Sequence, residues 1–228
     1  MIRAVLFDLD GTLIDTWRLY MEAIRRTLSP HFGRTLSDID ILGLKPSAEW
    51  RLILDIVGPQ KADRYFATFL REYEALHDRY CDGVYAGAIE MIDSLREQGY
   101  RLGLVTGKSR AAWTITAAKL GLDQFDVVLT DTDLQHHKPH PEGIQKALAF
   151  LGISPEHACY VGDSLLDCQA AQAAGLPFGA ALWAKGKHER DRFSRATQDI
   201  ACWRHLANPH ALVEALAHLP APLSESVE

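Results

Sequence analysis

Cysteine is scarce in this sequence and is not arranged as a zinc site or a disulfide framework requires. The four cysteines stand at positions 81, 159, 168 and 202, and no two of them form a CxxC pair. We therefore expect reduced thiols, most of them in the core.

Basic runs and long apolar runs are also missing. The net charge is −6, and no Lys/Arg stripe interleaved with aromatic residues is present, which argues against nucleic acid as a partner. The first segment, MIRAVLFDLDGTLID, reaches two aspartates by position 10, so it predicts neither a signal peptide nor a membrane span. We expect a cytoplasmic protein, monomeric or homodimeric, with no membrane partner.

The residues that are present predict an α/β fold. The 228 residues are 47% hydrophobic and 24% charged, as in an ordinary globular protein. Short β-rich runs occur at 2–8, 101–106, 126–130, 158–162 and 178–183. Helical patterns separate them, including 86–98, which stops at Gly99, and 141–152, which opens on Pro141. Alternating strands and helices predict a doubly wound parallel sheet.

One region, 16–83, interrupts this alternation. It contains several helical patterns and no convincing strand. In the clearest, 61–80, one stripe carries Phe66, Phe69, Leu70, Tyr73, Leu76 and Tyr80. We interpret 16–83 as a helical cap domain inserted into a core made of 1–15 and 84–228.

Two aspartates follow the first predicted strand. Asp8 and Asp10 are two positions apart where the strand gives way to Gly11, so both side chains leave the same face. Ligands bind at this end of the strands in open α/β sheets. A bare DxD can also be a pair of solvated loop aspartates.

A second acidic pair, in GDSLLD, favours a metal site. Asp163 follows the predicted strand ACYVG, and Asp167 comes one helical turn later. Clustered carboxylates repel one another near neutral pH unless a cation lies among them, and oxygen ligands favour a hard ion such as Mg²⁺. Asp167 alone could instead cap or solvate its helix.

Groups that bind phosphate stand at the ends of two further strands. Thr106 and Gly107 follow RLGLV, and Lys138 follows DVVLT. A hydroxyl and backbone N–H groups bind an anion, and an ammonium neutralises it. Each is weak alone, but with the aspartates they make up a phosphoryl-transfer site.

These segments closely resemble the phosphatase branch of the haloacid dehalogenase-like superfamily. FDLDGTLID, VTG, Lys138-Pro139 and GDSLLD match its four motifs in order. The resemblance implies that Asp8 is the nucleophile and that Asp10 is the general acid and base, whose backbone carbonyl also binds the metal. It implies that Thr106 and Lys138 hold the phosphoryl group.

The same resemblance implies that Asp163 binds Mg²⁺ and that Asp167 supports the ion directly or through water. The helical insert is similar to the cap of phosphoglycolate phosphatases, pyrophosphatases, β-phosphoglucomutases and phosphonoacetaldehyde hydrolases, which closes over the site and selects the substrate. We therefore expect a Mg²⁺-dependent phosphatase that hydrolyses a small phosphomonoester, phosphoglycolate-like or similar, through an aspartyl-phosphate on Asp8.

Several alternatives stay open at this stage. A β-phosphoglucomutase-like phosphomutase or a pyrophosphatase would share the core residues. Outside the family, a phospho-accepting receiver or a binding protein is conceivable, although receivers are shorter and lack the insert.

Two further segments have more than one interpretation. Lys45, in ILGLKPSAEW, is either a substrate contact in the cap or a solvated surface charge. The run His136-His137-Lys138-Pro139-His140 suggests a transition-metal site, but adjacent loop histidines rarely converge on one ion, and the carboxylates already account for a metal.

Overall fold

A parallel sheet forms the centre of the chain in this computed structural model, which describes residues 1–44, 48–197 and 202–217. The six strands lie in the order β5-β4-β1-β6-β7-β8. They are β1 (Ala4–Phe7), β4 (Arg101–Val105), β5 (Val127–Leu129), β6 (Ala158–Gly162), β7 (Phe178–Ala181) and β8 (Cys202–Leu206). The doubly wound parallel fold and all five predicted strands are confirmed.

The sixth strand, β8, was missed by the sequence analysis for a physical reason. It lies at the edge of the sheet beside β7, and most of its side chains are partly or fully exposed. An edge strand of this kind lacks the continuous apolar run of a strand buried on both faces.

Helices cover both faces of the sheet. They are α5 (Ala88–Glu97), α6 (Arg110–Leu120), α7 (Glu142–Leu151), α8 (Leu165–Ala173), α9 (Lys187–Ala196) and α10 (His210–Ala217). Side chains alternate across β1, so Phe7 packs in the cluster with α5, α6 and α10, whereas Leu6 packs in the cluster with α7 and α8. Among the described helices, none has the length and apolar character needed to cross a membrane.

Four of the described helices lie between β1 and α5 along the chain and share a separate apolar cluster. They are α1 (Trp17–Phe32), α2 (Asp38–Gly43), α3 (Glu49–Val57) and α4 (Pro59–Tyr80). Phe69 and Tyr73 of α4 are fully buried in this cluster, and Ala112 of α6 joins it. A two-stranded antiparallel ribbon, β2 (Ile14–Asp15) with β3 (Gly83–Val84), joins the chain segments on either side of these helices.

The sheet register brings the chemically important loops to one edge. β1 pairs with β4 on one side and with β6 on the other, and all three run in the same direction. Asp8, Thr106 and Asp163 stand one residue beyond the last residue of these three strands. They therefore meet at the carboxyl edge of the sheet.

Candidate active site

Lys138 lies between two buried carboxylates at this edge. Its Nζ is 2.7 Å from Asp8 Oδ1 and 2.7 Å from Asp167 Oδ1. The same ammonium donates to the carbonyl of Val105 at 3.3 Å, and the hydroxyl of Tyr160 lies 3.3 Å away. The loop that carries Lys138 thus binds the ends of the central strands together.

Burial shifts the pKa values of both Asp8 and Lys138. Desolvation raises the pKa of Asp8 well above its usual range, although Lys138 opposes the shift. Burial by itself would lower the pKa of Lys138, but Asp167 and Asp8 outweigh it and raise that pKa well above normal. Lys138 is therefore a permanent cation at neutral pH.

Three carboxylates surround a position suited to a hard cation. Asp8, Asp163 and Asp167 each offer an oxygen, and these oxygens lie within 4.8 Å of one another. Burial raises the pKa of Asp163, as expected for an acid crowded by Asp167 in a poorly solvated site. The all-oxygen donor set fits Mg²⁺.

The backbone keeps this position clear of side chains. Gly11 has a φ of +83°, and a Cβ there would lie 2.7 Å from Asp163 Oδ2. Gly162 is also tight, since its Cβ would lie 2.6 Å from the Cβ of Asp167. Any larger residue at position 11 would displace the Asp163 carboxylate, and any larger residue at position 162 would displace that of Asp167.

Asp167 has most of its lone pairs already engaged. Its Oδ2 accepts from the N–H of Ser164 at 3.0 Å and from the Ser164 hydroxyl at 2.6 Å, and its Oδ1 accepts from Lys138 and Tyr160. This arrangement caps the start of α8 and suits support of an ion through water better than direct ligation.

Asp10 faces a different set of partners. Its Oδ1 accepts a hydrogen bond from the Thr16 hydroxyl and lies 3.2 Å from Lys108 Nζ. Its side chain is 38% exposed and, in the part of the chain that is described, does not join the group of three carboxylates. Burial by itself would lower the pKa of Lys108, but Asp10, Tyr73 and Glu49 raise it well above normal.

The groups predicted to bind phosphate lie close to these side chains. Thr106 is buried, and its Oγ1 accepts from the Lys108 N–H at 3.1 Å, which leaves the hydroxyl hydrogen available as a donor. Gly107 lines the cavity, and the space beside its Cα is open.

A cavity of about 840 Å³ connects the site with the helices α1 and α3. From the core it is lined by Asp8, Asp10, Gly107, Lys108, Asp131, His137, Lys138, Asp163 and Lys185, and from the helical segment by Thr16, Trp17, Tyr20, Ala48, Glu49 and Arg51. Lys45 lies outside the described residues.

Sequence reasoning did not assign several cavity residues to the site. Lys108 directly follows the VTG segment, so its position gave a usable signal. Lys185 follows β7, as the other site residues follow their strands, and its Nζ lies 2.7 Å from Asp163 Oδ2. The 2.6 Å contact between His137 Nδ1 and Asp131 Oδ1 could not be predicted from any local pattern.

The histidine-rich loop forms a small surface cluster. His136, His140 and Glu142 each offer a ligand atom within 4.8 Å of the others. Glu142, however, already accepts from the backbone of Gln135 and His136 and pairs with Lys146 at 2.7 Å. The Glu142 carboxylate therefore stabilises the loop before α7 and the first turn of that helix.

Comparison with known proteins identifies the family. The model of the haloacid dehalogenase-like hydrolases matches residues 5–181. The chain belongs to this family. Pyrophosphatase PpaX of Bacillus cereus (strain AH820) is 35% identical over 193 residues, which cover 80% of this chain and 84% of that protein. The predicted resemblance to haloacid dehalogenase-like hydrolases is thus confirmed.

Solved structures of similar fold support the architecture. A provisionally assigned phosphoglycolate phosphatase from Lactobacillus plantarum has a TM-score of 0.74 at 23% identity, over 94% of this chain and all of that one. CbbY from Rhodobacter sphaeroides, solved in complex with phosphate, has a TM-score of 0.69 at 24% identity, over 79% and 86% of the two chains. At these identities the likeness concerns the fold.

Proposed function

We propose that this haloacid dehalogenase-like hydrolase is a Mg²⁺-dependent phosphatase that cleaves a small phosphomonoester through an aspartyl-phosphate on Asp8. The observation that carries the proposal is the position of Asp8 at the end of β1. There it lies 2.7 Å from a buried ammonium and within 4.8 Å of two further carboxylates. Phosphoryl transfer needs this combination of a positioned nucleophile and neutralised charge.

Each residue then has a defined role. Asp8 attacks phosphorus, and Lys138 and the Thr106 hydroxyl hold the transferring oxygens. Asp10 protonates the leaving oxygen and afterwards takes a proton from the water that hydrolyses the aspartyl-phosphate. Mg²⁺, held by Asp8, Asp163 and the Asp10 carbonyl with Asp167 in support, would supply charge neutralisation.

The helical segment, 16–83, would select the substrate as a cap over the core 1–15 and 84–228. Its residues line one side of the cavity, which supports this division of labour. Phosphoglycolate-like esters are the first candidates. Pyrophosphate is a second candidate because the 35% identical relative is a pyrophosphatase. The cytoplasmic location and the monomeric or dimeric state remain predictions.

The roles of Asp8 and Asp10 can be separated with an aryl phosphate in Mg²⁺. Asp8→Asn should give no phosphoenzyme and essentially no turnover. Asp10→Asn should release close to one phenol per site and then stall, about 10²- to 10⁴-fold below the wild-type rate, with a phosphate label that hydroxylamine removes. Asp93→Asn, an exposed acid on α5, is the matched control and should match wild type.

EDTA should abolish turnover, and Mg²⁺ should restore it. Full activity in excess chelator would contradict the metal assignment, and wild-type turnover by Asp10→Asn would contradict its role as acid and base. A panel of phosphoglycolate, pyrophosphate and sugar phosphates then separates the candidate substrates, and a phosphomutase would interconvert sugar phosphates instead of releasing phosphate.

A further inference from the structure

Lys108 is a buried cation for which the mechanism above has no task. Its side chain is only 3% exposed, although it lines the wall of an open cavity. Its Nζ lies 3.2 Å from Asp10 Oδ1, 3.9 Å from Glu49 Oε1 and 5.1 Å from the centre of the Tyr73 ring. Such a burial is costly unless the charge is compensated, so these partners determine where the ammonium stays.

Glu49 connects this cation to the helical segment. It stands in the first turn of α3, is 2% exposed, and its Oε2 accepts from the backbone N–H of Ser109 at 2.8 Å. Ser109 is the N-cap of α6 and the residue after Lys108. The Glu49 carboxylate therefore contacts the loop after β4 twice, at the Ser109 N–H and at the Lys108 ammonium.

Asp10 is held from two directions. Thr16, at the entrance to α1, donates to Oδ1, and Lys108 approaches the same oxygen. With Oδ1 restrained in this way, Oδ2 is the oxygen that would take up or release the proton. The rotation of the carboxylate about its own axis is thereby restricted.

We propose that Lys108 is a positioning residue that orients Asp10 for proton transfer, and that Glu49 holds Lys108 in place from the helical segment. This inference rests on the proposed function, because it assigns Asp10 the role of acid and base. It adds that α3 must pack correctly against the loop after β4 for Asp10 to transfer its proton. Lys108 itself needs no contact with the substrate.

Loss of orientation predicts a selective defect. Misplacing a catalytic group by about 1 Å can cost about 10²-fold in rate. With an aryl phosphate the first step needs little protonation of the leaving group, so Lys108→Met should leave the phenol burst intact. Hydrolysis of the phosphoenzyme should slow by about 10- to 100-fold, while kcat/KM, which reports only the steps up to phenol release, changes by less than about threefold. Glu49→Gln should act in the same direction, but less strongly.

A double-mutant cycle distinguishes positioning from a structural role. In the Asp10→Asn background, Lys108→Met should not slow phosphoenzyme hydrolysis further, because the group that it orients is already gone. A purely structural role would slow hydrolysis by the same factor in both backgrounds and would overturn the inference. Lys119→Met, which breaks an exposed 2.9 Å pair between Lys119 of α6 and Asp78 of α4, is the control and should keep both rates.

The failure of this inference is distinguishable from failure of the proposed function. If Asp10→Asn stalls as expected but Lys108→Met hydrolyses its phosphoenzyme at the wild-type rate, only the role of Lys108 is wrong. If Asp10→Asn turns over normally, the proposed mechanism itself is wrong. Should Lys108→Met not fold, Glu49→Gln still retains an oxygen acceptor for the Ser109 N–H, and wild-type phosphoenzyme hydrolysis by that variant would overturn the inference.

Discussion

Lys138→Met removes the ammonium that lies 2.7 Å from both Asp8 and Asp167. The side chains of these two acids are only 9% and 1% exposed, so water cannot replace the lost cation. Removing one partner of a buried ion pair costs about 3–5 kcal/mol, because the remaining charge is left uncompensated. For a chain of this length, that corresponds to a fall in Tm of about 6–20 °C.

The matched control is Lys146→Met. Lys146 also pairs with an acid, Glu142, at 2.7 Å, but its side chain is 48% exposed, so its loss should cost about 0–1 kcal/mol. Both variants and wild type would be unfolded in urea at neutral pH with EDTA present. If both substitutions reduced the free energy of unfolding equally, burial would not determine the strength of the Lys138 cluster. Added Mg²⁺ should recover part of the Lys138→Met loss if it binds at the same carboxylates.

The pH dependence of this difference has a definite sign. The pKa of Lys138 is raised above its ordinary value of 10.5, so the native state holds this proton more tightly than the unfolded chain does. Its stabilisation is therefore complete below about pH 10.5 and is lost as the pH rises through the native pKa. The difference in unfolding free energy between wild type and Lys138→Met should be similar at pH 8 and pH 9 and smaller at pH 11. A difference that grew between pH 9 and pH 11 would contradict this assignment.

Two further perturbations test the core and the metal position. Burial raises the pKa of Cys159 to about 12 and that of Cys168 to about 11, so about one thiol in a thousand or fewer is ionised at pH 8. Both should react with iodoacetamide far more slowly in the native protein than in urea, as mass mapping would show, and equal rates would refute their burial. Gly162→Ala would place a Cβ 2.6 Å from that of Asp167, should cost about 1–3 kcal/mol and should raise the Mg²⁺ concentration for half-maximal activity. Gly179→Ala on β7 is the control, since the nearest atom to its Cβ would be a side-chain methyl of Leu206 at 3.1 Å. The same Mg²⁺ requirement in both variants would contradict an effect of the Gly162 clash on the metal position.

The residue pattern alone determined most of the fold. Strands buried on both faces must be nearly continuous apolar runs, so β1 and β6 were visible as local signals. The positions where these runs end placed Asp8 and Asp163 at the carboxyl edge of a parallel sheet. Asp10 and Asp167 were recognisable from their spacing to Asp8 and Asp163, which is a local property of the sequence.

Only the tertiary structure decided which charges meet. Asp8 and Lys138 are 130 positions apart, and Glu49 and Lys108 belong to segments with separate apolar clusters, so nothing in either local pattern points to the other. The separation of the Asp10 side chain from the other three carboxylates depends on the side-chain conformations that Thr16 and Lys108 stabilise. Periodicity shows which face of an element is buried, because residues that recur at the period of a helix or strand lie on the same face. The pairing of buried charges depends instead on how distant elements pack, and that packing is set by the whole chain.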